Sequence, residues 1–299
     1  MQNLNNNKYM KKINETNGFI AALDQSGGST PKALKLYGVD ESEYSNEDEM
    51  FKKVHEMRSR IVTSPSFTGD KILGAILFEK TMNLEISGKP SAKYLWQEKN
   101  VIPFLKIDKG LEDEKDGIQI MKPNPGLEEL LEQAKRKEIF GTKMRSVIKN
   151  TNQNGIAYLV KQQFEIAKII ISAGLVPIIE PEVDIKCEKK LELEHLLLQQ
   201  LIVNLNELNF NQNVMLKLTL PEENNLYKAC INHPNVIKVF ALSGGYTRKE
   251  SNDRLSLNSG MAASFSRALT EGLSAHQKDE EFNKMLNSSI ESIYQASIL

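Results

Sequence analysis

From Gly18 onward, short apolar runs alternate with longer stretches in which apolar residues recur every three or four positions. The runs cover 19–24, 71–78, 101–108, 139–145, 175–182, 214–220, 236–243 and 261–266. Their length and composition are those of buried strands. The stretches between them read as helices over 45–60, 156–173, 188–208 and 278–298, the first opening on a capping-type serine, Ser45. Gly174 sits where a helix C-terminus belongs, and Pro221 suits the first turn of a helix following the sixth run. Eight strand candidates alternating with helices predict an α/β fold, a single (β/α)₈ TIM barrel rather than an open sheet. Residues 1–17 read as a polar lead-in compatible with disorder, and 18–299 as the barrel catalytic domain. The longest irregular pieces, 84–100 and 109–126, follow strand candidates and so belong on the active-site face. Trp96 falls in the first of them and reads as a packing residue.

Charge is what departs from this pattern. Strands buried on both faces should be continuously apolar. Five of the eight runs instead carry ionisable residues at or near their C-terminal ends: Asp24, Lys106 with Asp108, Lys143 with Arg145, Glu180 with Glu182, and Lys217. Residues two apart share a strand face, so Lys143 aligns with Arg145 and Glu180 with Glu182. Such groups must compensate one another or face a wet cavity, because an unpaired buried charge is costly. A single pair could be a structural tie. The whole set, converging where barrel enzymes keep their sites, points to function.

Lysines, an arginine and carboxylates together suit carbonyl chemistry on an anionic substrate. An amine is nucleophilic only when deprotonated, a state that cationic neighbours and apolar walls favour. Lys217, between Leu216 and Leu218, is the candidate nucleophile, with Lys143 and Arg145 as cationic neighbours. Glu180 and Glu182 are both candidates for moving the protons; spacing alone does not choose between them. The turn at Ser243, Gly244 and Gly245 ends the seventh run, and Arg267 follows the eighth. Glycines let backbone amides approach an anion closely, the arginine fork matches phosphate oxygens, and these two loops are the usual phosphate address in such barrels. The first loop, 24–29, offers a second hydroxyl-rich nest through Ser26 and Ser29.

Composition narrows the choice of class. Among 299 residues, 40% are hydrophobic and 26% charged, with a formal net charge of -1, which gives no reason to expect nucleic acid or acidic membranes as partners. No apolar stretch approaches the roughly 20 residues of a membrane span, and the N-terminus lacks a secretory pattern. Two cysteines, Cys187 and Cys230, are too few for a disulfide scaffold or a thiolate cage. A cytoplasmic, reduced protein is expected. His55, His195 and His276 fall within helical patterns and His233 in a loop, none at metal-ligand spacing, so neither a zinc site nor another cofactor is expected.

The motifs Ala21-Ala-Leu-Asp-Gln-Ser26, Phe104-Leu-Lys-Ile-Asp-Lys-Gly110, Gly141-Thr-Lys-Met-Arg145 and Pro177-Ile-Ile-Glu-Pro-Glu182 occur in this order. Leu216-Lys217, Leu242-Ser-Gly-Gly245 and Ser264-Phe-Ser-Arg-Ala-Leu269 complete a set that resembles the class I fructose-bisphosphate aldolases in their compact bacterial form. The resemblance runs from about Gly18 to the last helix. It implies a metal-independent (β/α)₈ barrel that reversibly cleaves fructose 1,6-bisphosphate in glycolysis and gluconeogenesis, with a small phosphosugar as its partner. It also implies roles: Lys217 as the Schiff-base lysine, Glu180 as the main acid/base, Glu182 and Lys143 assisting, and Asp24 at the hydroxyl that loses its proton. Lys106 and Arg145 would position the substrate. Ser243, Gly244, Ser266 and Arg267 would hold the phosphate beside the ketone, with Ser26 and Ser29 nearer the other. Where longer, animal-type members have glycine before the phosphate-binding arginine, this chain has Ser266, and it lacks their terminal tyrosine, ending Ser297-Ile-Leu299 with Tyr294 in a helical pattern. No motif specifies the family's tetramer interfaces, so a homo-oligomer remains an open expectation. Two other readings compete: a lysine-dependent barrel aldolase or transaldolase acting on a monophosphate, and a non-catalytic phosphometabolite-binding barrel. The intact Lys143, Glu180 and Lys217 set counts against the last.

Overall fold

The computed structural model describes residues 2–299, apart from the side chains of residues 2–6 and 29. Eight strands form its centre: β1 Phe19–Leu23, β2 Ile72–Leu77, β3 Ile102–Lys106, β4 Gly141–Ile148, β5 Val176–Val183, β6 Val214–Thr219, β7 Val236–Leu242 and β8 Met261–Phe265. Each pairs in parallel with the next, and β8 returns to β1 with Ile20 opposite Ser264, closing the predicted barrel. The helices are α1 Gln2–Glu15, α2 Ser29–Leu36, α3 Glu47–Thr63, α4 Glu79–Asn83, α5 Ser91–Lys99 and α6 Leu127–Arg136. They continue with α7 Gln153–Ser172, α8 Lys190–Asn206, α9 Lys228–Ile231, α10 Arg248–Ser256, α11 Arg267–Thr270 and α12 Asp279–Ala296. Amphipathic spacing drives their docking. In α6, for example, Leu127, Leu130, Leu131 and Ala134 are buried at intervals of three and four. Burying one such leucine is worth about 1.5–3 kcal/mol. Among the described residues, no helix is long and apolar enough to cross a membrane.

The barrel interior is divided by height. Its floor is an apolar cluster that includes Ile20, Ala22, Ile76, Ile102, Phe104, Ile178, Met215, Phe240 and Ala262. Phe104 fills the centre because a glycine on each neighbouring strand, Gly74 and Gly141, leaves its ring room. A Cβ on Gly74 would come within 2.6 Å of the Phe104 ring, and one on Gly141 within 3.0 Å. Two residues further along the same inward-facing rows, apolar side chains give way to Asp24, Lys106, Glu180 and Lys217.

Several expectations need correction. The N-terminal lead-in is helical from Gln2, and its Tyr9 and Ile13 join the apolar floor. Tyr9 meets Trp96 and Phe140 edge-on at 4.6 and 5.4 Å, and its hydroxyl donates to the Glu138 carbonyl at 3.3 Å. The polar sequence hid this because two buried side chains, with Met10 packed partly beside them, dock the helix while Asn7, Lys8, Lys11, Asn14 and Glu15 stay exposed. The piece 84–100 is not irregular: Glu85–Ile86 pairs antiparallel with Lys89–Pro90, and α5 follows, carrying Trp96 on a helix rather than a loop. Helix α3 is capped by Asn46, which accepts from the Glu49 amide at 2.9 Å, not by Ser45. Pro221 opens a bend instead of a helix; Asn225, at φ +63, lies in the left-handed region, so helix resumes only at Lys228. His276 lies in a turn before α12. Strand β4 runs on to Ile148, placing Lys143 and Arg145 mid-strand.

Candidate active site

At the C-terminal mouth of the barrel, a cavity of about 800 Å³ gathers side chains from β1, β3, β4, β5, β6 and the loops after β7 and β8. Four ionisable residues at its base are at most 6% exposed: Asp24, Lys143, Glu180 and Lys217. They form one chain of contacts. Lys143 Nζ donates to Asp24 Oδ2 at 2.8 Å and lies 2.7 Å from Glu180 Oε2. The Glu180 contact lacks hydrogen-bond alignment, so it is an ion pair rather than a bond. The other oxygen, Glu180 Oε1, lies 3.0 Å from Lys217 Nζ. Glu180 is therefore the hinge between the two lysines.

The electrostatics follow from this geometry. Burial pushes the Asp24 carboxyl upward, but Lys143, Lys217 and Lys106 outweigh it and hold it well below the usual carboxylate range. Glu180 behaves alike: burial raises it, and Lys143, Lys217 and Arg145 bring it below its ordinary value despite opposition from Asp24. Burial would discharge Lys143, yet Asp24, Glu180 and Asp108 keep it cationic to well above the usual lysine range. Two anions and two cations thus compensate one another in a place where any one alone would be prohibitive.

Around this base sit the groups that can orient a substrate. Lys106, opposite Lys143 in the β3–β4 register, donates to Asp108 Oδ1 at 2.6 Å and to the Asp108 carbonyl at 2.9 Å. Arg145 pairs through Nε with Glu182 Oε2, so the expected second carboxylate is engaged at the cavity wall rather than at Lys217. Ser243, Gly244, Ser266 and Arg267 line the opposite side, and Ser26 borders the cavity at the first loop. Gly244 needs its lack of a side chain twice over: φ is +60, and a Cβ would sit 2.5 Å from Ile185 Cγ2. Arg267 begins α11, and its guanidinium lies 3.5 Å from where a Cβ on Gly245 would be. Ser29 opens α2; its side chain lies outside the described residues.

Sequence reading missed some of the site. Gln25 lines the cavity and donates through Nε2 to Ser266 Oγ at 2.6 Å, tying the first loop to the last strand. The buried Arg58 fixes it from behind, donating to the Gln25 carbonyl and, at 2.6 Å, to Thr81 Oγ1. Lys32, Lys80, Lys109 and Ser264 also border the cavity. Gln25, Lys109 and Ser264 stand within the quoted motifs but drew no role there; Arg58, Lys32 and Lys80 come from helices whose charges look solvated in sequence.

A closed parallel barrel with a buried, carboxylate-paired lysine on β6 and a glycine turn after β7 is the kind of site that amine-based carbonyl chemistry calls for. The chain matches the model of the family described as fructose-bisphosphate aldolase class-I over residues 6–239. It is 62% identical over 293 residues to a protein of Synechocystis sp. named fructose-bisphosphate aldolase class 1, covering 98% of each. A Plasmodium falciparum fructose-bisphosphate aldolase, solved with TRAP and a small-molecule inhibitor, superposes with TM-score 0.80 at 20% identity over 99% of this chain and 94% of that one. A Corynebacterium glutamicum protein shares the fold more loosely, with TM-score 0.57 at 10% identity over 97% and 92% of the two chains. This chain belongs to the class I fructose-bisphosphate aldolase family.

Proposed function

We propose that this protein cleaves fructose 1,6-bisphosphate reversibly to dihydroxyacetone phosphate and glyceraldehyde 3-phosphate through an iminium on Lys217. The observation that carries the assignment of roles is the buried chain Lys217–Glu180–Lys143–Asp24 at the mouth of the barrel. Lys217 attacks the ketone carbon after giving a proton to Glu180, which lies within reach of its Nζ. The carbinolamine hydroxyl then leaves as water, protonated by Glu180, while Lys143 balances the charge on the carboxylate. Asp24, kept ionised by its cationic neighbours, takes the proton of the substrate hydroxyl next to the scissile bond. As that carbon–carbon bond breaks, its electron pair enters the protonated iminium, giving an enamine and releasing the aldehyde product. Protonation of the enamine carbon and hydrolysis of the iminium return Lys217. In this scheme the iminium is the electron sink, the role that a Lewis-acidic metal plays in other enzymes.

Binding follows the same geography. Ser243, Gly244, Ser266 and Arg267 hold the phosphate beside the ketone, while the first loop, with Ser26 and Ser29, serves the other phosphate. Lys106 and Arg145 orient the hydroxylated chain between them, and Glu182 keeps Arg145 in place. This work in the cytoplasm needs no metal. Incubation with dihydroxyacetone phosphate and borohydride should inactivate the enzyme and place the added mass on Lys217. Chelator should leave activity unchanged, and Lys217→Arg should fold but be inactive. An adduct on Lys143 or Lys106 would overturn the assignment of the nucleophile; no adduct together with chelator sensitivity would overturn the mechanism.

A further inference from the structure

Behind the Ser243–Gly245 turn lies a second network of charges that the reaction does not use. Lys190 and Glu194, at the start of α8, are 4% and 0% exposed, and Lys190 Nζ lies 2.5 Å from Glu194 Oε1. Both grip the backbone that leaves β6, the strand of Lys217. Lys190 donates to the Leu220 carbonyl at 2.7 Å, and Glu194 Oε2 accepts from the Glu222 amide at 3.0 Å. The Glu222 carboxylate then reaches outward. It lies 3.1 Å from Lys190 Nζ, accepts from Arg254 Nη1 at 3.2 and 3.3 Å, and accepts from the Tyr246 hydroxyl at 3.4 Å. The Arg254 guanidinium also lies over the Tyr246 ring, 4.3 Å from its centroid. Tyr246 is itself part of the turn, since its amide donates to the Ser243 carbonyl at 2.9 Å.

We infer that Glu222, Arg254 and Tyr246 are positioning residues that brace the Ser243–Gly245 turn against the end of β6, setting the affinity for the phosphate beside the ketone without touching the substrate. The inference rests on the reading of that turn as a phosphate site. Ile185 bounds the turn on its other side, filling the space beside Gly244. These two supports restrain the turn relative to the end of β6, and correct spacing between a reacting carbonyl and its anchored phosphate is what such a site must supply. A buried ion pair contributes little net stability compared with apolar packing. Its presence against the backbone that leaves β6, rather than in the floor, fits a geometric role.

Replacing Arg254 by Met keeps the bulk over Tyr246 but removes the tie to Glu222. The Michaelis constant for fructose 1,6-bisphosphate, and the half-saturation of borohydride inactivation by dihydroxyacetone phosphate, should rise by about two- to thirtyfold. kcat should stay within about twofold, since no reacting atom is disturbed, and Arg254→Lys should recover part of the loss. A purely structural role would lower the melting temperature and leave both constants of the folded enzyme unchanged, which would overturn the inference, as would a fall in kcat at constant KM. Arg267→Ala, measured alongside, separates the two levels. If it weakens dihydroxyacetone phosphate binding and Arg254→Met does not, the brace is wrong; if neither has an effect, the turn is not the phosphate site.

Discussion

Lys143→Met tests whether the base of the site is held together by charge. The wild-type ammonium is met by Asp24 at 2.8 Å and Glu180 at 2.7 Å. Methionine preserves the bulk and removes the charge, leaving two buried carboxylates of which Glu180 alone keeps a close cation, Lys217. Breaking a buried pair from one side costs about 3–5 kcal/mol. With an unfolding entropy of about 2.1 cal/mol/K per residue, a chain of 299 residues carries about 0.6 kcal/mol/K, so the melting temperature should fall by about 5–8 °C. The pH dependence gives the sharper test. In the wild type, Asp24 and Glu180 lie below their ordinary values, so their contribution is complete above about pH 5 and is lost as pH falls through the folded-state values. In the variant, the largest charge opposing burial at Asp24 is gone and Lys217 and Lys106 remain, so its value moves up from that of the wild type. The stability supplied by its ionised form, present above the unfolded value and lost as pH falls, is correspondingly smaller. The deficit relative to wild type should therefore be widest near neutral pH and narrow as pH falls from about 5 towards the folded-state values. Thermal unfolding followed by circular dichroism at several pH values measures it. A deficit below about 1 kcal/mol, or one independent of pH, would refute the electrostatic account.

Glu180→Gln should slow turnover by about 10²–10⁴, and Glu182→Gln by less, because Glu182 is engaged with Arg145; the reverse ranking would exchange their roles. Arg267→Ala should remove a charge-assisted phosphate contact worth about 1.5–3 kcal/mol, lowering kcat/KM by roughly ten- to a hundredfold, and an unchanged value would take Arg267 out of the site. Tyr9→Ala should destabilise the protein by about 3–5 kcal/mol through the barrel floor, with kcat of the remaining folded enzyme preserved. Trp96 is the single tryptophan and lies 4.6 Å from Tyr9, so its fluorescence should change in the same variant; unaltered emission and stability would mean that α1 does not seal the floor.

The linear chain carried the barrel because its signals are local. Eight apolar runs at strand length, separated by amphipathic stretches, leave few alternatives once a parallel sheet must bury both faces. The site base was legible for the same reason. A charge inside an apolar run is an energetic exception, and Asp24, Lys106, Lys143, Glu180 and Lys217 each stand in or at the end of one. What sequence could not decide was which charge answers which. Glu180 and Glu182 share a strand face, yet register and depth send Glu180 between two lysines and Glu182 to Arg145. Nor could it find Gln25, whose part depends on Arg58 from α3 and Ser266 from the far end of the chain, or the docking of α1 beneath the barrel. Those partners lie up to 241 positions apart, and none breaks a local rule of composition. Burial cost marks a residue as special wherever it occurs, whereas pairing is a property of distance and orientation, which exist only once the barrel has closed.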